Sequence, residues 1–215
     1  MSAYNDILIP VYLISIRNSD GLPDIGEPFQ GKPEFELNII EADMNNYWQA
    51  MQQCVRSGID KAEDVLVICN QSHRFTENYA RDFFIGNILE AHEQGCDILA
   101  GGMGGFNQAV PITKNRYWID RFWYCHFMVV FRKFYDKLLS KAYKNNKPID
   151  DAISELTMHK MALYPFISTQ RDFSDGISDD RTLEIYEKMS GCFTAADKKL
   201  SVYARIQQQY LSNGT

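Results

Sequence analysis

Two apolar runs constrain the fold of this chain more than any other feature. Residues 7–15 carry Ile7, Leu8, Ile9, Val11, Leu13 and Ile14, and residues 64–69 read Asp-Val-Leu-Val-Ile-Cys. A strand with one face in water alternates apolar and polar residues, whereas runs this continuous belong to strands covered on both faces. Between them, Tyr47, Trp48, Met51, Cys54 and Val55 recur at helical spacing and stop at Gly58, read as a C-terminal cap. A helix from Thr76 with Ala80, Phe84, Ile88 and Ala91 on one face, closed before Gly95, leads to a third short strand at residues 97–100. Strand, helix, strand is the rhythm of an α/β protein.

Beyond Gly101 the rhythm changes. Glycines and alternating residues run to Ile112, an aromatic segment spans residues 117–131, and a helix is predicted over 132–145. Asp150 or Asp151 caps a further helix, and residues 161–168 form a last strand. Two helices follow, at 181–189 and 194–211, the second opened by Thr194 with Asp197 three residues on. Its stripe of Leu200, Tyr203, Ile206 and Tyr210 is read as covering the core, with a dimer contact as the alternative. The long connections after the third strand predict a mixed, mostly parallel central sheet.

With 215 residues, one domain suffices to bury a core. A net charge of -6 argues against a nucleic-acid binder, since that affinity comes from neutralising phosphates with Lys and Arg. Five cysteines, Cys54, Cys69, Cys96, Cys125 and Cys192, show no CxxC spacing and read as reduced, buried thiols. The apolar run at 7–16 follows Asn5-Asp6 instead of a basic region, and is too short to span a bilayer. The expectation is a cytoplasmic protein with neither leader nor transmembrane segment.

In open α/β sheets, ligands collect beyond the carboxyl ends of the strands. Three segments qualify. Asn70-Gln71-Ser72-His73-Arg74 follows the second apolar run. There Asn and Ser can hydrogen-bond a sugar or ribose hydroxyl and His73 can meet a metal or phosphate, with a polar turn as the plainer reading. Gly101-Gly-Met-Gly-Gly-Phe106 is not a phosphate loop, because Pro111 and extended chain follow where a helix is needed; a tight bend or close backbone approach explains it better. The third region holds Asp150-Asp151 and the run 170–180, where a carboxylate at a cleft can take a proton from an attacking hydroxyl. Cys125-His126 is set aside as a dyad, on the argument that strand neighbours point to opposite faces. His92 and His159 read as surface or cap residues, and the aromatics Tyr117 to Phe127 as core, with stacking on a sugar ring or base as the alternative.

Val11-Tyr-Leu-Ile-Ser15, the helix with Trp48, Val65 to His73-Arg-Phe75, Gly101 to Phe106, Phe127 to Leu139, Ile149-Asp-Asp151, and Tyr164-Pro-Phe-Ile-Ser-Thr-Gln170 with Ser174-Asp175 follow in order. Together they resemble a GT-A-fold glycosyltransferase of the lipopolysaccharide-type family 25. The resemblance implies a three-layer sandwich in a single domain over 1–215, with a core at 7–180 and a helical extension at 181–215. It implies transfer of a sugar from a nucleotide-sugar donor, UDP-linked, to a hydroxyl of a surface glycan in polysaccharide biosynthesis; the alternative is an inactive nucleotide- or glycan-binding scaffold. It further implies Ser15 and Arg17 near the nucleotide, and Asn70, Ser72 and His73 at the donor diphosphate. Asp150 or Asp151 would be the acceptor base, with Gln170, Asp175, Ser178 and Asp179 lining the donor or acceptor side. The family carries Glu-Asp-Asp and then His, a DxD-type site for Mn²⁺ or Mg²⁺, where this chain has Asn70-Gln71-Ser72 and His73. That departure leaves three alternatives open: metal-independent chemistry, a different use of His73, or loss of activity.

Overall fold

The apolar run at the start of the chain becomes β1, Ile9–Ile16, with six consecutive buried residues. The computed structural model to which it belongs describes residues 4, 6–16, 24–143, 147–171 and 180–212. After a 3-10 turn at Glu27–Phe29 come β2, Phe35–Ala42, α1, Tyr47–Asp60, β3, Val65–Asn70, β4, His73–Phe75, and α2, Arg81–Glu93. The middle of the chain holds β5, Ile98–Gly102, β6, Gly105–Phe106, β7, Ala109–Pro111, β8, Arg116–Ile119, β9, Phe122–Trp123, and β10, Phe127–Phe131. Then follow α3, Arg132–Ser140, α4, Ile149–Ser154, β11, Lys160–Leu163, β12, Ser168–Gln170, and α5, Asp180–Ser212.

The main sheet runs β2-β1-β3-β10-β5-β11-β8-β7. β2, β1, β3, β5, β11 and β7 point one way, and β10 and β8 the other. Side chains alternate across each strand, so β1 splits its apolar set between two cores. Tyr12 and Ile14 join Leu66, Ile68 and Val130 under α1, α3, α4 and α5, while Ile9, Val11 and Leu13 join Val67 and Val129 under α2. That division makes three layers around a mostly parallel, mixed sheet, as the apolar runs required. No helix among the described residues is long and apolar enough to cross a membrane.

Several local expectations are corrected. Gly58 does not cap α1; it lies inside the helix, where an added Cβ would meet Leu66 Cδ2 at 2.6 Å, so the helix sits close against β3. Neither Asp150 nor Asp151 caps α4, because Pro148 occupies that position and both acids fall in the first turn. The predicted strand at 161–168 is two strands, β11 and β12, and only β11 belongs to the main sheet. The two C-terminal helices are one: Thr194 Oγ1 donates back to Ser190 O at 3.1 Å, a bond made inside a continuous helix. Of the stripe read as covering the core, Leu200 is buried and Tyr203 partly so, whereas Ile206 and Tyr210 are exposed; Phe193 and Ala196 complete the buried face. β2 escaped the apolar-run criterion because it is an edge strand, with Ile39 more than half exposed.

The five cysteines are free thiols; Cys54, Cys69 and Cys96 are buried as expected, whereas Cys125 and Cys192 are only partly so. The glycine segment is a close-approach device. A Cβ on Gly102 would stand 1.9 Å from Ser168 O, so only a hydrogen there lets the chain entering β12 pass over β5.

Candidate functional site

A cavity of about 340 Å³ opens where β1 and β3 end and β10 begins. Its apolar wall comes from Ile14, Ile68, Met128 and Met51, and its polar side from Asn70, Gln71, Ser72, His126 and Asp150. Tyr47, Tyr124 and Tyr186 also line it. The position obeys the carboxyl-end rule for α/β sheets, since β1 and β3 run parallel and finish together at this edge.

Asp150 stands on the first turn of α4 and accepts the Tyr124 N–H on Oδ2 at 2.7 Å. Enclosure by protein raises its carboxyl pKa to about 7; the Tyr124 N–H opposes that rise and the neighbouring Asp151 charge adds to it. Asp150 is therefore divided between acid and base forms near neutrality. Asp151 does not share the cavity. It points to Arg121, 3.9 Å from Nη1, and its Oδ1 has no hydrogen-bond partner. Of the two predicted acids, the structure brings only Asp150 to the ligand space.

The Asn70 cluster forms a tightly bonded wall. Asn70 Oδ1 accepts the Ser72 N–H at 2.9 Å, which leaves its Nδ2 to donate to His126 Nδ1 at 2.7 Å. Gln71 Oε1 accepts from the Ile16 N–H at 2.8 Å and from Ser15 Oγ at 3.3 Å. Ser15 thus stands behind Gln71 and is not a lining residue, while Ser72 lines the cavity and bonds Tyr186. Gln71, Tyr47, Tyr124, Tyr186 and His126 are lining residues that motif order alone does not assign. The Cys125-His126 adjacency was the only sequence signal for His126. Cys125 and His126 both line the cavity, contrary to the opposite-face argument, yet they still form no dyad. Burial and the Asp150 charge push the Cys125 thiol up, and both His126 nitrogens are engaged elsewhere.

His73 is placed away from this space. Its ring packs among Phe29, Phe75 and Phe127, its Nδ1 meets Ser168 Oγ at 2.8 Å, and its Nε2 has no partner. Burial holds its pKa well below the usual imidazole value. Gln170 does not line the cavity either; it touches it only through His126. Arg17, Asp175, Ser178 and Asp179 lie outside the described residues.

A hard divalent cation needs several carboxylate or carbonyl oxygens converging at one point. Asn70, Gln71 and Ser72 bring no carboxylate, His73 faces an aromatic cage, and no group of three His, Cys, Asp or Glu side chains converges among the described residues. These residues do not fit the Mn²⁺ or Mg²⁺ that the resemblance implied.

The sequence matches no family model and no curated protein. In overall arrangement the chain is similar to several solved structures. They include the crystal structure of A197 from STIV, at TM-score 0.49 and 14% identity over 77% of this chain and 86% of that one. The apo UDP-glucose pyrophosphorylase gives 0.46 and 12% over 89% and 82%, and UDP-glucose pyrophosphorylase complexed with UDP-glucose gives 0.48 and 9% over 90% and 100%. Likeness at this level concerns the arrangement of layers and assigns no activity.

Proposed function

We propose that this chain transfers a glycosyl group from a nucleotide-sugar donor, UDP-linked, to a hydroxyl of a glycan acceptor. The observation that carries the reading is Asp150, a carboxylate with pKa about 7 facing a cavity at the carboxyl ends of β1 and β3. A base poised near the working pH combines a usable ionised fraction with real proton affinity. The acceptor O–H gives its proton to Asp150 as that oxygen bonds to the anomeric carbon, and the bond from that carbon to the donor phosphate oxygen breaks, its electron pair leaving with the nucleoside diphosphate. Asn70 and Gln71 offer amide N–H groups toward the donor. The family resemblance assigns positive charge near the nucleotide to Arg17, which lies outside the described residues. Arg171 is excluded from that task, since it bonds Asp24 O at 2.9 Å and approaches Glu27.

The second reading is a module that binds nucleotide or glycan without turnover, and the Asn70-Gln71-Ser72 sequence at the place of the family's acids favours it. The two are separated by titrating UDP calorimetrically with Mn²⁺ and with EDTA, followed by a transfer assay over a panel of nucleotide sugars. UDP binding that survives EDTA, with transfer abolished in Asp150→Asn, supports the enzyme. Binding without transfer supports the module, and no binding of UDP under either condition removes the nucleotide reading.

A further inference from the structure

His126 has a fixed protonation pattern that follows from its neighbours. Asn70 Oδ1 is committed to the Ser72 N–H, so the Asn70 amide nitrogen faces the ring and Nδ1 must accept. Gln170 Nε2 donates to Arg171 O at 3.2 Å, so Gln170 presents its oxygen to the other side of the ring, 2.5 Å from Nε2. Nε2 must therefore carry the proton. The ring is neutral with hydrogen on Nε2, and burial, which pulls its pKa down to about 4, keeps it so at neutral pH. The backbone agrees: the Asn70 N–H donates to His126 O at 3.1 Å, binding the end of β3 to the same residue.

A directed chain results, from Asn70 to His126 to Gln170 to the Arg171 carbonyl. Asn70 lines the cavity beside Asp150, while Gln170 lines a separate, more open cavity of about 480 Å³ between β4, β12 and α5. The imidazole sits between the two and spends both nitrogens on side chains. We infer that His126 is a positioning residue that holds the Asn70 carboxamide at the cavity wall, with Gln170 as its anchor. Of the two Asn70 amide hydrogens one is consumed by the ring, and the second is left for a ligand. Gln170, expected to line the donor or acceptor side, acts instead through His126. The inference rests on the reading of this cavity as the ligand site.

The test uses the full chain and two substitutions. His126→Phe fills the same space and removes both hydrogen bonds, whereas His126→Gln keeps an acceptor oxygen and a donor nitrogen at similar spacing. With UDP as the probe, His126→Phe weakens binding by about tenfold, the equivalent of one hydrogen bond to the ligand wall, and His126→Gln restores most of it. A side chain that merely filled volume would give the reverse order. Equal UDP affinity in wild type and His126→Phe overturns the proposal. If UDP fails to bind the wild type, the nucleotide reading falls, and the decision passes to hydrogen exchange at the Asn70 side-chain amide, followed by NMR. Slow exchange in wild type and His126→Gln with fast exchange in His126→Phe supports the positioning role; the same rate in all three overturns it.

Discussion

The Tyr124 backbone N–H donates to Asp150 Oδ2 at 2.7 Å from a residue whose own φ is +55°. Positive φ is uncommon for a residue with a Cβ and costs on the order of 1 kcal/mol, so the surrounding fold must hold Tyr124 in place. That strain aims a main-chain donor at a carboxylate in the candidate site. The link runs from the residue just after β9 to α4, 26 positions along the chain, and it fixes where Asp150 points.

Replacing Asp150 by Asn should separate function from stability. A general base contributes about 10²- to 10⁴-fold, and transfer in Asp150→Asn should fall by that factor. The amide oxygen can still accept the Tyr124 N–H, and no charge needs to be enclosed. The variant should be more stable than the wild type at pH 8, by at most about 4 kcal/mol, measured by urea unfolding. Retained transfer would remove Asp150 from the mechanism.

The pH dependence of transfer should follow the same group. Only ionised Asp150 accepts a proton, so kcat/KM should climb tenfold per unit of pH up to about 7 and level off above it. A pH–rate profile checks this. A plateau extending down to pH 5 would contradict it.

Acid stability should show opposing contributions. Burial lowers the pKa of both His73 and His126, the latter from 6.5 to about 4, so between those values the unfolded chain binds more protons and stability is lost as pH falls. Asp150 has a raised pKa, so its folded form binds more protons between 3.8 and about 7, and it gains stability as pH falls. Near pH 5 the two histidines and Asp150 therefore pull stability in opposite directions. In Asp150→Asn the opposing contribution is gone, so near pH 5 stability should fall with acid more steeply than in the wild type, by about 1.4 kcal/mol per unit of pH. Unfolding curves at pH 4.5, 5.5 and 6.5 measure both slopes.

Two glycine substitutions should differ sharply. In Gly102→Ala the new methyl meets a backbone oxygen at 1.9 Å, which neither chain can yield without moving β12, and a loss of about 3 kcal/mol or more is expected. Gly58→Ala meets the far end of the Leu66 side chain at 2.6 Å, which can rotate, and it gains about 1 kcal/mol of helix propensity. Its net effect should lie within about 1 kcal/mol of zero. Thermal unfolding of the two variants tests the contrast.

The sequence by itself determined the layers. Continuous apolar runs at β1 and β3 left no water-facing side, so the sheet had to be covered twice, and the change of rhythm after Gly101 announced a mixed sheet. It also marked Asn70, Ser72 and Asp150, because polar residues directly after buried strands and carboxylates at a helix start are local patterns. What it left undetermined depended on pairing across the chain. β2 is a strand because β1 offers it an edge, Gly58 is a packing glycine because β3 lies beneath it, and α5 runs unbroken because Phe193, Ala196 and Leu200 find the core. The site divides in the same way. Adjacent residues share a motif, but Asp150 and Asp151 part company because successive residues on a helix point about a quarter turn or more apart. His73 left its cluster for an aromatic cage, and His126 entered it through bonds to residues 56 and 44 positions away. Hydrogen bonds and enclosure of this kind are set by three-dimensional proximity, which no local pattern of residues encodes.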